Sequence, residues 1–276
     1  MPAIRAIGQQ LYRTARFTLN DRLDARWNKD PLARSPTGTV EEFRELAAHA
    51  AAREFPEADE IERDTGFAID RRWLDDLALH TQIVKKRSEL GYPHGRLLYS
   101  VLRQYISANR PDFVSIIETG TARGFSALCM AKALADAGVR GHIVTIDRLP
   151  HLVPIYWNCI DDLEGRKTRR DLLAPWAQLC DRITFIQGDT LDQLGKIGAR
   201  RVNFAYLDAQ HTEADVLHEF DLIAPLQERG DIVFFDDVTP EQFPGVAAAV
   251  ETIETRGDYA MQRVRAGRGF AWALRQ

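Results

Sequence analysis

An α/β fold, with a mostly parallel sheet of seven strands that closes in an antiparallel hairpin, is what this chain of 276 residues predicts. Three observations carry that reading. From residue 112 onward, short apolar runs alternate with amphipathic helical stretches, the pattern of a parallel sheet covered on both faces. The last two apolar runs are separated only by Arg265-Ala266-Gly267-Arg268, a turn so short that these strands must be antiparallel. Each of the first five runs delivers a carboxylate at or next to its C-terminal end, the edge where open α/β sheets bind ligands.

In chain order, residues 1–30 read as one amphipathic helix, with Ile4, Ile7, Leu11, Ala15, Leu19, Leu23 and Trp27 recurring every three or four positions. It packs on its own domain or on a second subunit, or docks on a membrane surface or partner. Its basic excess is too small to favour a membrane. Residues 31–38 form a loop, and 40–54 a helix opened by a Thr39/Glu42 capping box. Residues 57–64 read as an acidic, solvated connector. Helices follow at 73–90 and 96–109, broken by Gly91-Tyr92-Pro93-His94-Gly95. Arg110-Pro111 marks the entry to the main domain, so the chain divides into a helical extension, 1–110, and an α/β domain, 111–276. Parallel strands are expected at 113–118, 142–147, 183–187, 202–207 and 231–235, with helices at 126–137, 169–179, 214–222 and 244–255 among them. The hairpin strands are 259–264 and 269–274.

The first strand runs into Glu118-Thr119-Gly120-Thr121-Ala122-Arg123-Gly124-Phe125-Ser126. This is a glycine turn feeding a helix, the arrangement that lets backbone approach a ligand. Its Gly-x-x-x-Gly spacing lacks the middle glycine of dinucleotide sites, and points to an adenosyl cofactor without a pyrophosphate. Glu118 can hold a charged amine or order the loop. Asp147, 23 residues past Gly124, is placed to accept both ribose hydroxyls. Arg148 beside it can receive a ribose phosphate. Gly188-Asp189 sits on the adenine side or simply makes a turn.

Asp208, Asp236 and Asp237 end two central strands. Three converging carboxylates repel unless a cation neutralises them, and hard oxygen ligands suit Mg²⁺, Mn²⁺ or Ca²⁺. His211 follows three residues after Asp208, as a general base, a fourth ligand or a solvated helix residue.

These residues resemble a class I S-adenosylmethionine-dependent methyltransferase over residues 92–276, a Rossmann-like fold that also ends in an antiparallel hairpin. The resemblance implies S-adenosylmethionine bound by Glu118, Gly120, Thr121, Gly124, Ser126, Asp147, Arg148, Gly188, Asp189 and Asp208. The segments Tyr206 to Val216 and Gly230 to Val238 are similar to bacterial macrolide-sugar and polysaccharide O-methyltransferases. By that likeness, and by likeness to catechol-type enzymes, Asp208, Asp236 and Asp237 would hold Mg²⁺ or another divalent ion. Asp208 and His211 would be catalytic, His211 lying near where catechol-type enzymes carry a lysine. Tyr92-Pro93-His94-Gly95 resembles the segment lying over cofactor and substrate, so Tyr92 and His94 join Tyr156 and Trp157 as candidate acceptor contacts. Those last two, with Trp176, either wall the acceptor pocket or fill the core of an inserted helix pair. Arg166, Lys167, Arg169 and Arg170 meet an acidic acceptor or form a solvated face. The first 90 residues match no family pattern; they shape acceptor specificity or a homo-oligomer.

The acceptor is therefore expected to be a small-molecule or glycan hydroxyl. Three rivals stand beside this reading. An NAD(P)-linked oxidoreductase would need the missing middle glycine. A metal-dependent hydrolase leaves the glycine turn and Asp147 unexplained. A non-catalytic cofactor-binding subunit is the third. A net charge of −4 gives no basic excess for nucleic acid. No apolar stretch reaches the roughly 18 residues of a membrane span. Cys129, Cys159 and Cys180 are too dispersed for zinc or a disulfide framework, consistent with a cytoplasmic setting.

Overall fold

A computed structural model describes residues 32–276; the helix expected at 1–30 lies outside them. Seven strands form one sheet in the order β3-β2-β1-β4-β5-β7-β6. They are β1 (Phe113–Thr119), β2 (Arg140–Asp147), β3 (Ile183–Gln187), β4 (Phe204–Leu207), β5 (Ile232–Phe235), β6 (Tyr259–Val264) and β7 (Phe270–Arg275). β1 to β5 are parallel, and β7 is antiparallel to both β5 and β6. The chain order reverses beside β1, so β1 and β4 part at a crevice between their following loops, the position where such sheets bind ligands.

The central strands are apolar on both faces because both are covered. Ile116, Phe204, Tyr206, Phe234 and Trp272 enter the core beneath helices Pro93–Asn109 and Phe125–Asp136. Their neighbours Ile117, Ala205, Leu207, Val233 and Phe235 point the other way, toward helices Glu213–Ile223 and Pro244–Thr255. This is the two-residue alternation of extended chain. Gly95 lets the first pair of helices meet closely: a side chain there would strike Phe125 and Cys129.

The N-terminal helices are part of the first core. Phe43, Leu74 and Leu77 are fully buried in the same cluster as Leu97, Phe125 and Phe234. The stretch expected as a connector at 57–64 is instead helix Pro56–Thr65. Pro56 fits its first turn, where no N–H is needed, and Gly66 closes it in a left-handed conformation at φ 76°. Two of its acids, Asp59 and Glu62, bind the buried Arg96, while Glu60 and Asp64 face solvent. The helix expected at 73–90 spans Arg71–Thr81 and stops early. Residues 82–92 then cross toward the C-terminal edge of the sheet as irregular chain, pinned where Asn158 accepts from the Lys85 amide and donates to its carbonyl. The helix expected at 169–179 is two single turns, Arg169–Leu172 and Ala177–Cys180, interrupted at Ala174-Pro175-Trp176.

Candidate functional site

The β1 glycine turn is built from left-handed backbone at Gly120 (φ 90°), Ala122 (φ 45°) and Gly124 (φ 99°). Gly120 is required by its neighbour strand: a side chain there would collide with the carbonyl of Asp208. The turn is tied to β2 from both sides. The Gly120 amide donates to the Ile146 carbonyl at 2.9 Å, and the Ala122 amide to Asp147 Oδ2 at 2.6 Å. Asp147 Oδ1 accepts from the Leu149 amide at 2.7 Å. Beneath the turn, Glu118 is fully buried and accepts from the Ser126 and Thr145 hydroxyls. Desolvation raises its carboxyl to about 7, against the lowering effect of those two hydrogen bonds.

A cleft of about 300 Å³ opens above this turn. Gly120, Asp147, Arg148, Gly188 and Asp208 line it, joined by Leu32 from the N-terminal segment. Four other predicted cofactor residues stand behind the wall. Thr121 is buried, its hydroxyl 2.5 Å from that of Thr145. Gly124 caps helix Phe125–Asp136, and Ser126 is committed to Glu118. Asp189 is buried, caps a helical turn through the Leu191 amide at 3.0 Å, and pairs with Arg148. Arg148 thus lines the cleft with its guanidinium paired to the Asp189 carboxylate.

The strand-end acids meet as expected in part. Asp208, His211 and Asp237 bring one ligand atom each within 4.8 Å of one another. His211 Nε2 lies 3.0 Å from Asp237 Oδ2 and 3.9 Å from Asp208 Oδ1. Asp236 departs from the expected trio: it accepts the Tyr206 hydroxyl at 2.7 Å and the Asp237 amide at 2.8 Å. It braces the cluster from below, and His211 stands beside Asp208 and Asp237. Burial and then the charges of Asp236 and Asp237 raise the Asp208 carboxyl well above its usual range. Asp237, in left-handed backbone at φ 61°, is almost fully buried, and its Oδ1 receives no directed hydrogen bond. The Asp208 and Asp237 carboxylates, with the His211 imidazole beside them, are a donor set that fits a divalent cation.

The four candidate acceptor contacts separate. His94 stays near the cluster: its ring packs edge-on against Phe125 at 4.8 Å, and burial pushes its imidazole down to about 4. Tyr92 turns away and donates to Asp75 at 2.8 Å. Trp157 is fully buried, its indole donating to the Lys167 carbonyl at 2.8 Å. It is the core of the 148–182 insertion rather than a pocket wall. Tyr156 pairs with Ala33 in an isolated bridge, under the Arg166 guanidinium. A larger groove of about 760 Å³, between helix Val40–Ala51 and residues 84–90, holds no such cluster.

Several residues escaped the sequence reading. Arg169, read with a solvated basic face, is buried under the glycine turn and donates to the Ala122 carbonyl at 2.9 Å. Glu219 is buried, binds Thr119 at 2.8 Å and also Thr190, and burial raises it to about 7. Gly245 has no room for a side chain against the His211 carbonyl. Arg268, in the hairpin turn, places Nε 2.8 Å from Asp237 Oδ1. Only Arg268 carried a usable signal, since two glycines bracket it in a turn returning to the sheet's ligand edge.

Residues 117–238 match a family described as a methyltransferase domain. No curated protein matches the chain. Among solved structures, the chain resembles the O-methyltransferase TomG from Streptomyces achromogenes, described as involved in tomaymycin synthesis and in complex with SAM. Identity is 21%, the TM-score is 0.53, and 76% of this chain and 92% of that one are covered. It also resembles cofactor-bound Rv0187 from MTB, at 22% identity, TM-score 0.51, and coverage of 75% and 90%. The O-methyltransferase NovP matches at 16% identity, TM-score 0.51, and coverage of 72% and 88%. At these identities the likeness shows the fold.

Proposed function

We propose that this chain, an S-adenosylmethionine-dependent methyltransferase by the domain it carries over residues 117–238, methylates a hydroxyl oxygen of a small-molecule diol, a sugar or related natural product. One observation carries the reading. Asp208 belongs both to the wall of the cofactor cleft and to the cluster with His211 and Asp237. The donor cleft and the acid cluster therefore share a border. The O-methyltransferase neighbours TomG and NovP support oxygen as the acceptor atom.

When bound, S-adenosylmethionine supplies a sulfonium methyl that is already electrophilic. The protein's part is to position and deprotonate. Asp147 presents its carboxylate to the ribose side of the cleft, and the glycine turn keeps the floor free of side chains. His211 takes the acceptor proton. With Nε2 assigned as donor to Asp237, its Nδ1 is left as the basic nitrogen. Asp208 and Asp237, with His211 beside them, would hold a divalent ion, which when bound acts as a Lewis acid on a hydroxyl. Alignment of acceptor and donor supplies the entropic part of the acceleration.

The test is calorimetry and turnover on Asp208→Ala. The cofactor product S-adenosylhomocysteine binds the variant within a few-fold of wild type while methyl transfer to diol acceptors is lost. Full activity of Asp208→Ala in excess chelator would remove the cluster from the mechanism. Failure of the wild-type protein to bind S-adenosylhomocysteine would remove the methyltransferase reading itself.

A further inference from the structure

Arg268 is held by the fold rather than reaching the cluster by chance. Gly267 and Gly269 on either side adopt left-handed backbone at φ 58° and 81°, which bends the β6–β7 turn around it. The turn is closed by the Gly269 amide on the Ala266 carbonyl at 3.0 Å. It is fastened to the residue after Asp237 by the Val238 amide on the Gly269 carbonyl, also 3.0 Å. The guanidinium lies over the Phe243 ring at 5.4 Å, and the same ring packs on His211 at 5.1 Å. Arg268 thus meets Oδ1 of Asp237 while His211 meets Oδ2. Its Nε is within ion-pair distance of Oδ1, yet that oxygen receives no directed hydrogen bond. The contact is charge neutralisation without the fork geometry that makes arginine–carboxylate pairs tight. The side chain is half exposed, so it can leave.

We propose that Arg268 is the resident counter-cation of the acid cluster, competing with a divalent ion for Asp237 and so setting the site's metal affinity. This rests on the reading that the cluster accepts a cation. A divalent ion on either oxygen of the buried Asp237 carboxylate would lie close to the guanidinium at Oδ1 and be strongly repelled by it. Entry of the ion therefore requires Arg268 to swing outward into solvent, and the pairing energy it gives up is subtracted from the affinity. The arrangement also keeps Asp237 neutralised before the ion arrives.

The experiment measures Mn²⁺ binding by electron paramagnetic resonance and calorimetry on the full chain, as wild type, Arg268→Gln and Arg263→Gln. Arg263 lies on the same hairpin but pairs with Glu254 at the surface, so it controls for a general loss of positive charge. Arg268→Gln is expected to bind Mn²⁺ at least tenfold more tightly, with Arg263→Gln within twofold of wild type. Equal or weaker Mn²⁺ binding in Arg268→Gln, an equal gain in Arg263→Gln, or no Mn²⁺ binding in any of the three overturns the inference. S-adenosylhomocysteine affinity, measured alongside, reports that the fold is intact, because Arg268 does not line the cofactor cleft. Loss of that affinity in wild type defeats the methyltransferase reading; its retention without a metal effect defeats only the role of Arg268.

Discussion

Glu118 ties the cofactor turn to the pH dependence of stability. An ordinary glutamate titrates near 4.5, and burial lifts this one to about 7. Between those values the folded protein keeps a proton that the unfolded chain releases. The group's stabilising contribution is therefore complete below about 4.5 and is lost as pH rises through about 7. Glu219 acts in the same sense, with the same burial-driven value. Urea unfolding at pH 5 and pH 8 should show lower stability at pH 8. Glu118→Gln should flatten that difference by up to roughly 3 kcal/mol; an unchanged difference would mean that Glu118 is ionised throughout. At His211 the expectation concerns rate. His211→Gln should lower kcat by about 10²- to 10⁴-fold, the usual range for a lost general base. S-adenosylhomocysteine affinity should hold within about twofold. That Asp147, Asp208 and Asp237 gather at one edge was legible, because a residue at a parallel strand's carboxyl end has only that edge to face. Arg169 was not, since a buried arginine and a solvated one look alike in a run of basic residues.

At the level of elements, glycines decide how closely two segments meet. Gly245 opens helix Pro244–Thr255 against the 211–213 backbone. Gly245→Ala should push the His211 loop away from Asp237. The expected outcome is a tenfold or larger fall in kcat with cofactor-product affinity preserved, a split that steady-state kinetics and calorimetry read directly. Gly120→Ala should differ, because left-handed backbone and the Asp208 carbonyl both oppose a side chain there. It should weaken S-adenosylhomocysteine binding at least tenfold; near-native affinity would show that the turn can relax. Most strands and the closing hairpin were readable from apolar runs and turn chemistry. Helix Pro56–Thr65 was missed although Pro56 and Gly66 marked its ends, because its acidic composition suggested solvent. Arg96, distant in sequence, takes the charges of Asp59 and Glu62.

For the whole molecule, the continuous core joining Phe43, Leu74 and Leu97 to Phe125 and Phe234 makes the N-terminal helices part of one folding unit. A fragment beginning at residue 111 would expose the apolar faces that helix Pro93–Asn109 covers, and should fail to give a cooperative melt by circular dichroism. The full chain should unfold in one transition, coincident in near- and far-ultraviolet signals. Two separated transitions would show that the extension folds independently. What the sequence determined by itself was local and periodic: the parallel sheet, the hairpin, the glycine turn and the acids at strand ends, all consequences of two-residue alternation and backbone sterics. Tertiary structure alone decided which of those groups meet. It turned Tyr92 onto Asp75, spent Asp189 on Arg148, bonded Asp236 to the Tyr206 hydroxyl, and brought Arg268 across from the hairpin to Asp237. Each of these is a charge or hydroxyl satisfied by a partner far away in the chain. Burial requires that such a partner exist, but no local pattern says which residue it is.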